Sequence, residues 1–192
     1  MTASLDRCER FSNSDERDHR RKSLIEKFKQ VVAGLNHPMT SDNDDEWEML
    51  GRHHGLPTTL LDWTFSPYIA AYFAFADQSP ETAEFVAIWM LDRANFAGAL
   101  GREIELFDDY RLLRSNPRAR DQCALFLQKK RHDPPTEKLL SPALMRFDIP
   151  VNQRQEALGY LDETNVYARI LFQDLEGAAK TAACRVLVLG DR

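Results

Sequence analysis

Glycine is scarce in this chain: the 192 residues hold 8, and none precedes Gly34. No Gly-x-Gly-x-x-Gly run and no Gly-x-x-x-x-Gly-Lys-Ser/Thr run is present, so neither a Rossmann nor a P-loop nucleotide site is supported. No Gly-x-Ser-x-Gly elbow exists, so a serine-hydrolase triad is not expected. Cysteine is scarcer still. Cys8, Cys123 and Cys184 are widely spaced, odd in number and free of any Cys-x-x-Cys pair. They form no disulfide framework and fit a reducing compartment. The longest nearly apolar run, Pro67 to Ala76, is too short to cross a bilayer. The first residues contain no apolar core of a secretory signal. These absences predict a cytoplasmic protein with no membrane partner.

What is present is the composition of an ordinary globular protein, with 43% hydrophobic and 29% charged residues. The net charge of −5 gives the chain as a whole no bias toward nucleic acid. Residues 1–22 are polar, dense in charges of both signs and without an apolar period, and they read as a flexible tail. The remainder, 23–192, is long enough for one domain with a sizeable core. From Ser23, the apolar residues Leu24, Ile25, Phe28, Val31, Val32 and Leu35 predict an amphipathic helix, ended by Gly34, Asn36 and Pro38. Asp44 and Asp45 are candidate N-caps for a second helix bearing Trp47 and Leu50. After a short irregular stretch, Ser66 followed by Pro67 marks a strong helix start. The helix it opens is apolar nearly all round and should be buried.

Glu84–Leu91 is the clearest strand, with further strands expected over 121–127 and 144–149. Residues 103–113 read as a helix, Asn116–Pro117 as a turn, and Cys123 as a core residue on a strand. Two C-terminal helices are predicted, 152–163 and 174–184. Arg185 to Leu189 either extends the last helix or adds a strand. The expected fold class is α+β: a small central β-sheet flanked by several helices, with more helix than strand.

The segment from Arg52 to Ala76, RHHGLPTTLLDWTFSPYIAAYFAFA, mixes turn, polar and apolar residues in a way that scaffold alone does not require. Gly55 and Pro57 fix a sharp turn directly after two imidazoles. Thr58, Asp62 and Thr64 stand among Leu60, Leu61 and Trp63, which want burial. A carboxylate there must be paired or hydrogen-bonded, and backbone amides of its own turn or of the Ser66 helix are the expected donors. On one reading Asp62 and Thr64 hold a buried loop. On the other, His53, Thr58 and Asp62 line a pocket closed by Trp63. His53 and His54 have no third ligand at a recognisable spacing, so no metal is expected.

This segment resembles the signature of the FRG domain family, Gln-His-Tyr-Gly-Leu-Pro-Thr-Arg-Leu-Leu-Asp-Trp-Thr followed by Pro and an Ala-x-Tyr-Phe-Ala helix. His53, Gly55, Leu56, Pro57, Thr58, Leu60, Leu61, Asp62, Trp63, Thr64, Pro67, Ala71, Tyr72, Phe73 and Ala74 match it. The stretches Arg118–Phe126 and Leu171–Lys180 resemble two later family elements, so the resemblance spans about 23–180. Arg52 stands where the family has glutamine, His54 where it has tyrosine, Thr59 where it has arginine, and Gln173 where it has proline. The aromatic-Arg-Gly motif that names the family is absent. That absence predicts a lost first strand or a coding start inside the domain.

The resemblance implies a layout similar to that of ADP-ribosyltransferase folds, in which a small sheet forms a cleft for NAD. On that analogy His53, Asp62 and Gln122 are the candidate catalytic residues, and Thr58, Trp63, Tyr72 and Arg118 the ligand-binding ones. Gln122, an amide, would sit where a catalytic glutamate often does. No cofactor is implied, NAD being a candidate substrate. The expected function is binding, with processing as an extension, of a nucleotide-like or NAD-like ligand. The alternative is a non-catalytic interaction module whose protein or nucleic-acid partner meets the basic stretch 111–131. There Arg111, Arg114, Arg118, Arg120, Lys129, Lys130 and Arg131 face a single acid, Asp121.

Overall fold

Two asparagines set where the N-terminal helices begin. In the computed structural model, which describes residues 1–35, 41–77, 83–96, 103–109, 117–131 and 134–190, a short helix α1 (Ser4–Cys8) precedes α2 (Ser14–Val32). The Asn13 side chain accepts from the Glu16 amide, and the Glu16 carboxylate accepts from the Ser12 amide at 2.8 Å. The stretch expected as a flexible tail is therefore folded. It lacks an apolar period because its anchors are few and one is charged. Ala3, Leu5 and Phe11 are buried, and so is Arg17 at 1% exposure. Asn43, rather than Asp44 or Asp45, caps α3 (Asp44–His53) by accepting from the Asp45 amide.

The chain divides into two compact units, each assembled from three stretches. The first comprises Met1–Trp63, Arg93–Asn116 and Leu125–Ala143; the second Thr64–Asp92, Pro117–Ala124 and Leu144–Arg192. The first holds a three-stranded sheet in the order β1 (Leu60–Thr64), β4 (Ala124–Lys129), β3 (Ile104–Phe107). β3 and β4 are antiparallel, with Ile104 opposite Lys129 and Phe107 opposite Phe126. Ala124, Leu125, Phe126 and Leu127 are all buried, as befits a central strand covered on both faces. The short helices α5 (Arg93–Phe96) and α7 (Thr136–Leu140) belong to this unit.

Four sequence expectations fail in and around this sheet. The helix over 103–113 is strand β3 over 104–107, since pairing with β4 overrides a helix-compatible period; residues 110–113 lie outside the described residues. The irregular stretch before Thr64 is strand β1. The strand over 121–127 starts later, because Pro117–Asp121 forms a helical turn, α6, ahead of it. Cys123 follows in the left-handed region at φ 47° and is exposed rather than core. The ends of the first helix at Asn36 and Pro38, and the turn at Asn116, also fall outside the described residues.

In the second unit, the Ser66 hydroxyl accepts from the Ile69 amide at 3.3 Å and Pro67 opens α4 (Pro67–Ala76), as the sequence predicts. Ile69, Tyr72 and Phe75 are buried, but Tyr68 and Phe73 are exposed, so α4 is covered on one face and not all round. β2 (Phe85–Leu91) pairs antiparallel with β5 (Leu144–Pro150) in a two-stranded sheet. A 3-10 turn, Val151–Gln153, leads into α8 (Arg154–Glu163), followed by α9 (Ala168–Phe172) and α10 (Leu175–Leu187). Residues 185–187 extend the last helix rather than forming a strand. Gly177 is required where α10 meets α9, because a Cβ there would lie 2.8 Å from the Ala168 carbonyl oxygen. The expected α+β class holds, with small sheets flanked by helices.

Candidate functional site

In the first unit the signature turn is built as its residues demand. Gly55 adopts φ 88°, a left-handed conformation that favours glycine, and the Leu56 amide donates back to the Gly51 carbonyl at 2.9 Å. The chain then passes α1. The Thr58 amide donates to the Ser4 hydroxyl at 2.9 Å, and the Leu5 amide donates to the Thr58 carbonyl at 2.9 Å. Thr58 is 1% exposed, and its hydroxyl has no hydrogen-bond partner. The indole N–H of Trp63 is likewise buried without one.

Asp62 does not accept from backbone amides as expected. It is half exposed on β1 and forms a bidentate ion pair with Arg52, whose Nε lies 3.1 and 3.0 Å from the two carboxylate oxygens. The Arg52 Nη1 donates to the Ser4 hydroxyl at 3.2 Å. The residue that departs from the family pattern at position 52 thus neutralises the signature carboxylate. His53 packs edge-on against Phe126, with ring centroids 5.6 Å apart.

Beneath this surface lies a buried polar network that sequence reasoning missed. Glu48 is 1% exposed. One carboxylate oxygen accepts from the Thr59 amide at 2.7 Å and hydroxyl at 2.8 Å; the other accepts from Arg21 Nε at 2.6 Å and Gln128 Nε2 at 3.2 Å. Burial opposes the charge on Arg21, but Glu48 and Asp45 outweigh it and hold the guanidinium above its ordinary pKa. Burial pushes the Asp45 carboxyl up despite Arg21. Arg17 is gripped by Asp6 at 2.6 and 3.0 Å and donates to the Lys129 carbonyl at 3.0 Å. The only trace of these networks in the sequence is the density of opposite charges in 6–21 and 44–48.

The other candidates fall in the second unit. Gln122 serves as a brace: its amide donates to the Leu171 carbonyl at 3.1 Å, and its own carbonyl accepts from the Thr64 hydroxyl at 2.8 Å. Arg118 pairs with Asp174 and lies over the Phe172 ring at 5.6 Å. Tyr72 is 6% exposed in the core, where burial, with Cys184 and Asp77 nearby, pushes its hydroxyl up to about 12. Of the basic stretch, Arg111 and Arg114 lie outside the described residues. Arg120 meets Asp121, Lys130 meets Glu105 at 3.3 Å, and Arg131 meets Glu103 at 3.9 Å.

The family model described as FRG domain matches residues 1–83. That span covers the Arg52–Ala76 signature and also the whole of α1, α2 and α3. No curated protein and no solved structure matches the chain. Among the described residues, no helix is long and apolar enough to cross a membrane, and no three His, Cys, Asp or Glu side chains gather into a metal site.

Proposed function

Taking the FRG domain of residues 1–83 as the premise, we propose that this chain binds a nucleotide-like ligand of the NAD or ADP-ribose class in the cytoplasm. The site would lie around Ser4, Arg52, Thr58 and Asp62. The observation that carries this reading is the unpartnered buried hydroxyl of Thr58, beside Ser4. Such a group costs about 1–3 kcal/mol, whereas Glu48, Thr59 and Arg17 nearby are satisfied. A hydroxyl suits the oxygens of a ribose or phosphate. Arg52, 24% exposed, adds a planar cation that suits phosphate. The three free thiols agree with a reducing compartment.

Two features support binding over turnover. Asp62 is already held by Arg52, and Gln122 has no charge to offer a developing cation. A polyanionic or protein partner on the basic stretch has less support, because Arg118, Arg120, Lys130 and Arg131 all have acidic neighbours.

Thermal unfolding with NAD and with ADP-ribose tests the reading. Ligand at 100 times its Kd should add about 2.7 kcal/mol of stability. Thr58→Val, which keeps the shape and removes the hydroxyl, and Arg52→Gln should each weaken binding roughly tenfold. The proposal fails if no nucleotide moves the melting temperature of the native chain.

A further inference from the structure

The two strands of the second unit's sheet differ in how they meet solvent. On β5 four consecutive residues, Met145, Arg146, Phe147 and Asp148, are exposed. Successive side chains of a strand point to opposite faces, so β5 is open on both. β2 occupies one edge of β5, and among the described residues no strand occupies the other.

An edge of this kind normally carries a device that blocks further pairing: charged side chains, lysine above all, an internal proline or a bulge. β5 has no lysine, internal proline or bulge, and its charges are one of each sign. Its register with β2 runs unbroken from Phe85 opposite Pro150 to Leu91 opposite Leu144, and its one proline ends the strand. Its two charges have opposite signs and flank Phe147 symmetrically.

We infer that β5 is a self-association edge, pairing antiparallel with β5 of a second copy about a two-fold axis at Phe147. In that register Arg146 lies opposite Asp148 of the partner subunit, Asp148 opposite Arg146 of the partner subunit, and the two Phe147 rings face each other. Opposite charges and paired aromatics are the cross-strand combinations that stabilise a ladder. Within one chain Arg146 already reaches Asp148 at 2.7 Å, but both are about half exposed and the contact is worth little in water. Across the axis the same groups form an alternating array of four charges. Arg146 also lies over Trp89 of β2 at 5.6 Å, which holds the guanidinium above that face.

Charge swapping at this edge tests the inference, with mass in solution as the readout. The native chain should dimerise. Arg146→Asp alone places four acids around the axis, and Asp148→Arg alone places four bases. Each should weaken self-association roughly tenfold or more. Mixing the two variants should restore a one-to-one heterodimer, and the double variant R146D/D148R should dimerise like the native chain. Both sites are exposed, and unchanged circular dichroism will confirm that the variants fold. A native chain that is monomeric at all concentrations overturns the inference. So does dimerisation that ignores the single substitutions, or a mixture that fails to recover.

Discussion

The first unit fills part of its interior with charge and the second fills its interior with hydrocarbon. Glu48 accepts four hydrogen bonds from Arg21, Thr59 and Gln128 within 3.2 Å, and Gln128 also donates to the Thr59 hydroxyl at 2.8 Å. In the second unit, Ile69, Phe75, Leu158, Leu161 and Leu171 pack together, with Tyr72 the one phenol among them. Hydrogen bonds are directional and specify one arrangement, whereas apolar packing specifies volume and tolerates exchange. A buried ion pair adds little net stability over an apolar replacement, yet breaking one partner is severe. The two units should therefore fail differently.

Glu48→Ala should be the most damaging change. It strands Arg21 and the Thr59 amide in the interior and should cost about 3–5 kcal/mol in denaturant unfolding. A loss under 1 kcal/mol would mean that the network is relieved by water. Leu171→Ala, in the apolar core of the second unit, should cost about 2–4 kcal/mol. Leu171→Met should cost less than about 1.5 kcal/mol. Equal losses for the two would erase the contrast.

The smallest effects sharpen the comparison through pH. Asp174 is held below the usual aspartate range, first by the Gly177 amide and then by Arg118. Its folded pKa lies below the unfolded value, so its contribution is present above about pH 4 and is lost as pH falls through the folded value. Asp45 is raised by burial, so its contribution has the opposite sign: present below about pH 4 and lost as pH rises through the folded value. Stability measured from pH 7 to pH 3 should decline less steeply in Asp174→Asn than in the native chain. In Asp45→Asn it should decline more steeply. Parallel curves for the two variants would remove the distinction.

Elements whose evidence is local were readable in the sequence. The Ser66–Pro67 start of α4, the apolar run of β2, the alternation in β5 and the Asp174 cap of the helix 175–187 all lie within a few residues. What was not readable depends on distant partners. β3 reads as helix until β4 arrives opposite it, and β1 reads as irregular because its strand character comes from lying beside β4. The first 22 residues read as a tail because Arg17, held by Asp6 of the same stretch and by the distant Lys129 carbonyl, does the work of an apolar anchor. The signature marks Thr58, Asp62 and Trp63 as candidates, and the first and last carry buried polar atoms without a partner. Position 52, noted only as a departure from the family, proved to be the partner of Asp62.

Glu48 also constrains how the chain is made. Its last partner, Gln128, lies 80 residues downstream. At cellular synthesis rates that separation is roughly 4–16 s of elongation. Throughout this interval the nascent first unit carries a carboxylate that it can shelter with Arg21 and Thr59 but cannot enclose. The matched segment 1–83 ends well short of β4, so expressed by itself it would keep that carboxylate wet and its sheet unassembled. Fragments for expression should therefore run past Lys129.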